Sequence, residues 1–184
     1  MNRLTRRALL GAGTAVALAG LPLLTSFVEA AQDADPADLT RLGSALALEQ
    51  AAIKAYNDGA ATGLLSKPLL AVASGFIADH TAHRDALIAA IRAGGGLPPA
   101  ASAKLAYPRL KTETDVLRFA LAVEEKAANA YLALIPAFAD RKLAGFAASI
   151  LGVETTHVAL LSNALGQPGP YPGGFMPIPA GEEH

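Results

Sequence analysis

Residues 45–56 read Ala-Leu-Ala-Leu-Glu-Gln-Ala-Ala-Ile-Lys-Ala-Tyr, and residues 120–131 read Ala-Leu-Ala-Val-Glu-Glu-Lys-Ala-Ala-Asn-Ala-Tyr. The two stretches align at an offset of 75, which pairs Glu49 with Glu124 and Tyr56 with Tyr131. A second pair follows each of them. His80-Thr-Ala-His83 aligns with Glu154-Thr-Thr-His157 at an offset of 74. Two copies of one pattern predict two helix hairpins related by a pseudo-two-fold axis, and a one-residue drift is an ordinary loop difference.

The punctuation of the chain fits four helices. Asp35-Pro36 reads as an N-cap and first helical residue, opening a helix to about Asn57 that Gly59 ends. Ser66-Lys67-Pro68 opens a second, which stops at Gly94-Gly95-Gly96. Thr112 caps a third, with Asp115 as the weaker partner of a capping box, and Pro136 ends it after about Ile135. Asp140 opens the fourth, which runs to Gly166. The loops within each pair are short and give antiparallel hairpins, whereas residues 97–111 form a long middle connection. Extended, that connection reaches about 50 Å, more than the ~40 Å of a helix over 67–93. A crossover along the whole bundle is therefore possible.

Steps of three and four trace one apolar seam per helix. The seams are Leu42, Leu46, Glu49, Ile53, Tyr56; Ala73, Phe76, His80, His83, Leu87; Leu117, Leu121, Glu124, Ala128, Tyr131; and Ala147, Ile150, Glu154, His157, Leu161. Each is interrupted by Glu or His at its middle, so six polar residues should meet at one level of the core. Three buried carboxylates cost several kcal/mol each unless they are paired, and no Lys or Arg lies on the seams near that level. Protonation with raised pKa values would relieve one or two of them. A metal ion is the simplest compensation, since carboxylate and imidazole are its ordinary ligands. A hydrogen-bonded network without metal is the alternative.

Glu49-x-x-Ala52-x-x-x-Tyr56, Glu124-x-x-Ala127-x-x-x-Tyr131 and Glu154-x-x-His157, in this order and with a long crossover, resemble ferritin-like proteins such as rubrerythrin and bacterioferritin. The resemblance spans roughly residues 36–166 and implies an all-α four-helix bundle with a dinuclear carboxylate site. By position it makes Glu49 and Glu124 terminal ligands, Glu154 a bridging carboxylate, and His83 and His157 one imidazole for each metal. His80 departs from the pattern, standing where the family usually carries a second bridging Glu. Three Glu carry −3, so two divalent ions would leave +1 for a bound anion to cancel. A single metal held by three His and one or two Glu is equally lawful chemistry. Tyr56 and Tyr131 fill space beside buried carboxylates or act in the chemistry. Asp79, Arg84 and Asp85 read as surface charges or as partners that orient imidazole.

The resemblance implies iron or manganese, two ions, with dioxygen or peroxide as a small oxidant. Zinc, a single ion, a sequestration role or a purely structural envelope-stress role are the alternatives. The chain has no Cys, hence no disulfide and no thiolate iron centre to deliver electrons. Its 184 residues suit one domain, and a net charge of −1 makes no electrostatic case for nucleic acid. Pairing into a homodimer is compatible with the resemblance.

Thr5, Arg6 and Arg7 precede an uncharged run from Ala8 to Leu24, and Val28-Glu29-Ala30 offers small residues for cleavage after Ala30. This is the layout of a signal peptide of twin-arginine type over residues 1–30, which implies a periplasmic or other extracytoplasmic location. Contact with the membrane is expected only through that segment, if it stays uncleaved. Residues 31–35 then form a polar linker, and 167–184 a Pro- and Gly-rich tail.

Overall fold

The computed structural model describes residues 22–101 and 107–167. The Thr5-Arg6-Arg7 motif, most of the apolar run after it and the tail beyond Gln167 lie outside the described residues. Five α-helices follow in order: α1 Pro22–Gln32, α2 Pro36–Ala61, α3 Lys67–Ala93, α4 Glu113–Leu134 and α5 Arg141–Ala164. A single 3-10 turn, Ile135–Ala137, joins α4 to α5. α2 pairs with α3 and α4 with α5, and the two hairpins pack as a four-helix bundle.

Local chemistry accounts for most boundaries. Asp35 accepts a hydrogen bond from the Ala37 amide at 2.7 Å, with Pro36 as the first helical residue. Thr112 and Asp115 complete a full capping box, each side chain accepting from the other's amide at 3.1 and 3.0 Å. Asp140 accepts from the amides of Lys142 and Leu143 at 2.6 and 3.0 Å. α2 does not stop at Gly59, as the sequence suggests, but continues to Ala61. Gly59 is buried inside the helix against Val116, and the turn is made by Gly63 at φ +69°. Ile53 is another correction: it is half-buried, and Ala52 takes its place on the inner face.

The long connection lies across the α2/α4 side. Gln50 Nε2 donates to the Pro99 carbonyl at 3.1 Å, and Tyr107 packs edge-on to Phe119. The Ser66 amide donates to Glu113 Oε2 at 2.6 Å, which ties the start of α3 to the start of α4. The crossover therefore carries the chain from one end of the bundle to the other, and α4 runs antiparallel to α2.

α1 is an element that sequence reasoning missed. Residues 31–35 are not wholly a linker, because α1 reaches Gln32 and buries Ala31 completely. α1 packs on α3 and α5 and lays the Phe27 ring flat on Phe146, with centroids 3.6 Å apart. Gly94 ends α3 at this contact, where a Cβ would come within 2.6 Å of the Ala31 carbonyl. Cleavage after Ala30 would remove Phe27 from this packing. By length and composition α5 could cross a membrane. In the bundle, Glu154 and His157 at its centre are buried against the other helices.

Asp38 is fully buried near the start of α2. It accepts from the amides of Ala139 and Asp140 at 3.0–3.1 Å and from Arg41 at 2.8 Å, so it caps the entry to α5 from outside that helix. Burial pushes its carboxyl upward, but these donors outweigh burial and hold it below the ordinary carboxylate range.

Asp38→Ala should cost about 2–4 kcal/mol at neutral pH in chemical unfolding, because two amides lose their acceptor. The deficit should shrink as pH falls through the lowered folded pKa, since the wild-type contribution is complete only above the unfolded value. Phe27→Ala in the full-length chain should cost about 3–5 kcal/mol. An unchanged unfolding midpoint would show that α1 is not part of the stable bundle.

Candidate metal centre

A polar layer divides the bundle interior between two apolar clusters. One holds Leu42, Leu46, Tyr131, Phe146 and Ile150 with Phe27 of α1. The other holds Tyr56, Phe76, Leu117, Leu121, Val158 and Leu161. Between them lie Glu49 from α2, His80 and His83 from α3, Glu124 from α4, and Glu154 and His157 from α5. Five of the six are buried and His83 nearly so, its side chain 12% exposed. The structure thus brings together all six residues that the sequence places at one level.

They form two overlapping sets. Glu49, His80, His83 and Glu154 offer ligand atoms within 4.8 Å of one another, and so do His80, Glu124, Glu154 and His157. His80 and Glu154 belong to both. His80 lies between the outer carboxylates, with Nδ1 2.8 Å from Glu49 and Nε2 3.2 Å from Glu124. His157 Nδ1 lies 3.3 Å from Glu124. His83 Nδ1 is 3.3 Å from Glu154 Oε1 but without hydrogen-bond geometry. Both oxygens of Glu154 and Nδ1 of His83 are buried with no hydrogen-bond partner. Such atoms normally find partners in a folded protein. A cation between the two sets would satisfy all three, and imidazole with carboxylate is a donor set that fits a transition-metal ion.

The tyrosines act across the bundle. Tyr131 on α4 donates to Glu49 of α2 at 2.5 Å, and Tyr56 on α2 donates to Glu124 of α4. Each phenol thus holds the carboxylate of the opposite helix. Burial, reinforced by the neighbouring carboxylate, pushes both phenols well above their ordinary pKa, so each remains a donor. Asp79 decides between the two sequence readings of its role. Its Oδ2 lies 3.2 Å from His157 Nε2, where it orients the imidazole so that Nδ1 faces the cluster. This contact is the main cause that lowers the Asp79 pKa. Arg84 and Asp85 pair with each other at 2.7 Å, and Glu125 is half-buried outside both sets.

Without metal, protons balance the layer. Burial disfavours a charged imidazole, but Glu124 and Glu49 raise His80 to about 11, and Glu154 and Glu49 raise His83 to about 9. Burial also pushes Glu49 and Glu124 upward, and their histidine partners reverse it, bringing Glu49 down to about 2. Glu154 goes the other way, carried by burial to about 7.

The sequence pattern of the ferritin-like domain family matches residues 37–167. Among solved structures, a conserved hypothetical protein from Mycobacterium tuberculosis is 25% identical, with a TM-score of 0.65 over 70% of this chain and 97% of that one. A protein from Bacillus anthracis described as a ferritin-like diiron-carboxylate protein is 22% identical, with a TM-score of 0.60 over 79% of this chain and 99% of that one. No functionally curated protein matches the chain.

Proton balance sets a pH dependence of opposite sign for the two forms. His80 and His83 stabilise the metal-free fold fully below about pH 6.5, and that contribution fades as pH rises through about 9 and then 11. Ligation needs those imidazoles neutral, so cation uptake should release protons and strengthen as pH rises from 6 to 9. Calorimetric titration in buffers of different ionisation enthalpy measures the release.

Proposed function

We propose that this chain, which belongs to the ferritin-like domain family, is an exported metal-binding protein whose core holds two iron or manganese ions and acts on dioxygen or peroxide. The observation that carries the reading is Glu154, a fully buried carboxylate whose two oxygens lack hydrogen-bond partners at the junction of two four-residue ligand sets. A cation held in each set would satisfy both oxygens at once. Glu49 and His83 would complete one ion, and Glu124 and His157 the other, with His80 within reach of both.

When bound, a pair of redox-active metal ions would supply one- or two-electron chemistry towards dioxygen or peroxide. The chain's own residues prepare that site. Tyr131 and Tyr56 fix one oxygen each of Glu49 and Glu124. Asp79 holds His157 in the orientation that presents Nδ1. Leu117, Leu121 and Val158 on one side, and Leu46 and Ile150 on the other, exclude bulk water from the layer. A fourth carboxylate is lacking, which leaves positive charge to attract a small anion once two divalent ions are held. The location outside the cytoplasm rests on the Thr5-Arg6-Arg7 motif and the apolar run after it.

One observation favours a second reading, a single non-redox ion such as zinc. Both nitrogens of His80 already contact Glu49 and Glu124, so this side chain fills the space between the terminal carboxylates.

Elemental analysis of protein purified without added metal or chelator, beside a Glu154→Ala/His157→Ala double variant, separates the readings. Close to two equivalents of iron or manganese, lost in the variant, is the expected result, with peroxide consumption lost in parallel. One equivalent of zinc would establish the second reading, and no metal in either protein would sink both.

A further inference from the structure

The two ends of the bundle carry equivalent residues and are finished differently. At the sequence offsets, Tyr56 corresponds to Tyr131, Leu69 to Leu143, Val72 to Phe146 and Ala73 to Ala147. At the Tyr131 end Leu143, Phe146, Ala147 and Tyr131 belong to one buried cluster, to which α1 contributes the Phe27 ring stacked on Phe146. At the Tyr56 end no described residue takes the place of Phe27. There the helices leave a partly open cavity of about 200 Å³, lined by Tyr56, Leu69, Val72, Ala73 and Phe76 among other apolar residues of α2, α4 and α5.

The wall of this cavity nearest the polar layer is made by two aromatic rings. Tyr56 turns its hydroxyl to Glu124, and Phe76 stacks on the His157 ring with centroids 3.8 Å apart. Among the described residues that line it, Tyr56 alone has a polar side-chain group, and that group is already engaged. Water entering the cavity would find few partners, whereas an apolar cavity of about 150 Å³ suffices to bind benzene.

We propose that this cavity is a binding site for a small monocyclic aromatic molecule, held against Tyr56 and Phe76 beside the metal centre. An aromatic occupant matches the other end of the same bundle, where the cluster formed by the corresponding residues takes in the Phe27 ring, stacked on Phe146. As a reaction partner of the centre the ligand rests on the function proposed above; as a bound molecule it rests on the cavity alone.

Toluene titrated into the full-length chain, metal-loaded and metal-free, tests the inference. Saturable binding is expected in both forms, with intermolecular NOEs from toluene to the Val72 and Leu69 methyl groups in the metal-free form. Val72→Phe, which copies Phe146 and fills the cavity from its wall, should weaken binding at least tenfold while leaving metal content unchanged. Leu69→Phe serves the same purpose where Val72→Phe fails to fold. Toluene binding by a chain that takes up no metal would uphold the cavity and remove the redox reading. Metal uptake without toluene binding would overturn the cavity assignment and leave the centre intact. Binding that appears only after Phe175→Ser and Met176→Ser would overturn it as well, because the C-terminal segment would then be the occupant.

Discussion

Every helix of this bundle brings a group that prefers water into the middle of its own apolar face. Three carboxylates and three imidazoles share one layer, and their mutual arrangement governs whether the helices can close at all. A lone carboxylate in such a core would destabilise it by several kcal/mol. Together with histidines the carboxylates are tolerable in two ways, by proton or by cation. His80 is the pivot of the first way, lying between Glu49 and Glu124 with a raised affinity for its proton. Glu154 calls for the second, since neither of its oxygens has a hydrogen-bond partner.

The same layer explains why the tyrosines cross over. Each tyrosine lies two turns beyond its own glutamate, and its long side chain leans back towards its helix N-terminus to reach the carboxylate of the other helix. Tyr56 and Tyr131 therefore tie the two hairpins together as well as holding the carboxylates. Loss of either phenol would loosen a buried carboxylate and an inter-hairpin contact at once. The asymmetry of the bundle lies away from this layer. One end is closed by α1 and the other keeps a cavity, although Tyr56, Leu69, Val72 and Ala73 occupy the positions of Tyr131, Leu143, Phe146 and Ala147.

The helix boundaries were largely legible because caps and breakers act locally. Asp35-Pro36, Thr112 with Asp115, Asp140 and the Gly94–Gly96 run all mark helix ends as read. Gly59 misled, because glycine inside a helix can be a packing residue, here against Val116. Ile53 misled for a related reason: period alone could not decide whether the large Ile53 or the small Ala52 faces the neighbouring helix. Asp38 and α1 left no usable signal. The donors to Asp38 come from residues about a hundred positions later, and the apolar stretch containing Phe27 reads equally well as an export signal.

By itself the sequence determined four helices, their pairing into hairpins and the six polar residues that meet in the core. These follow from periodicity and spacing, which depend only on helix geometry. Tertiary structure alone decided which atoms face each other: His80 between two glutamates, Asp79 behind His157, each tyrosine on the opposite hairpin's carboxylate. Those choices depend on the relative height and rotation of the packed helices, and they are fixed by side-chain volumes over the whole core.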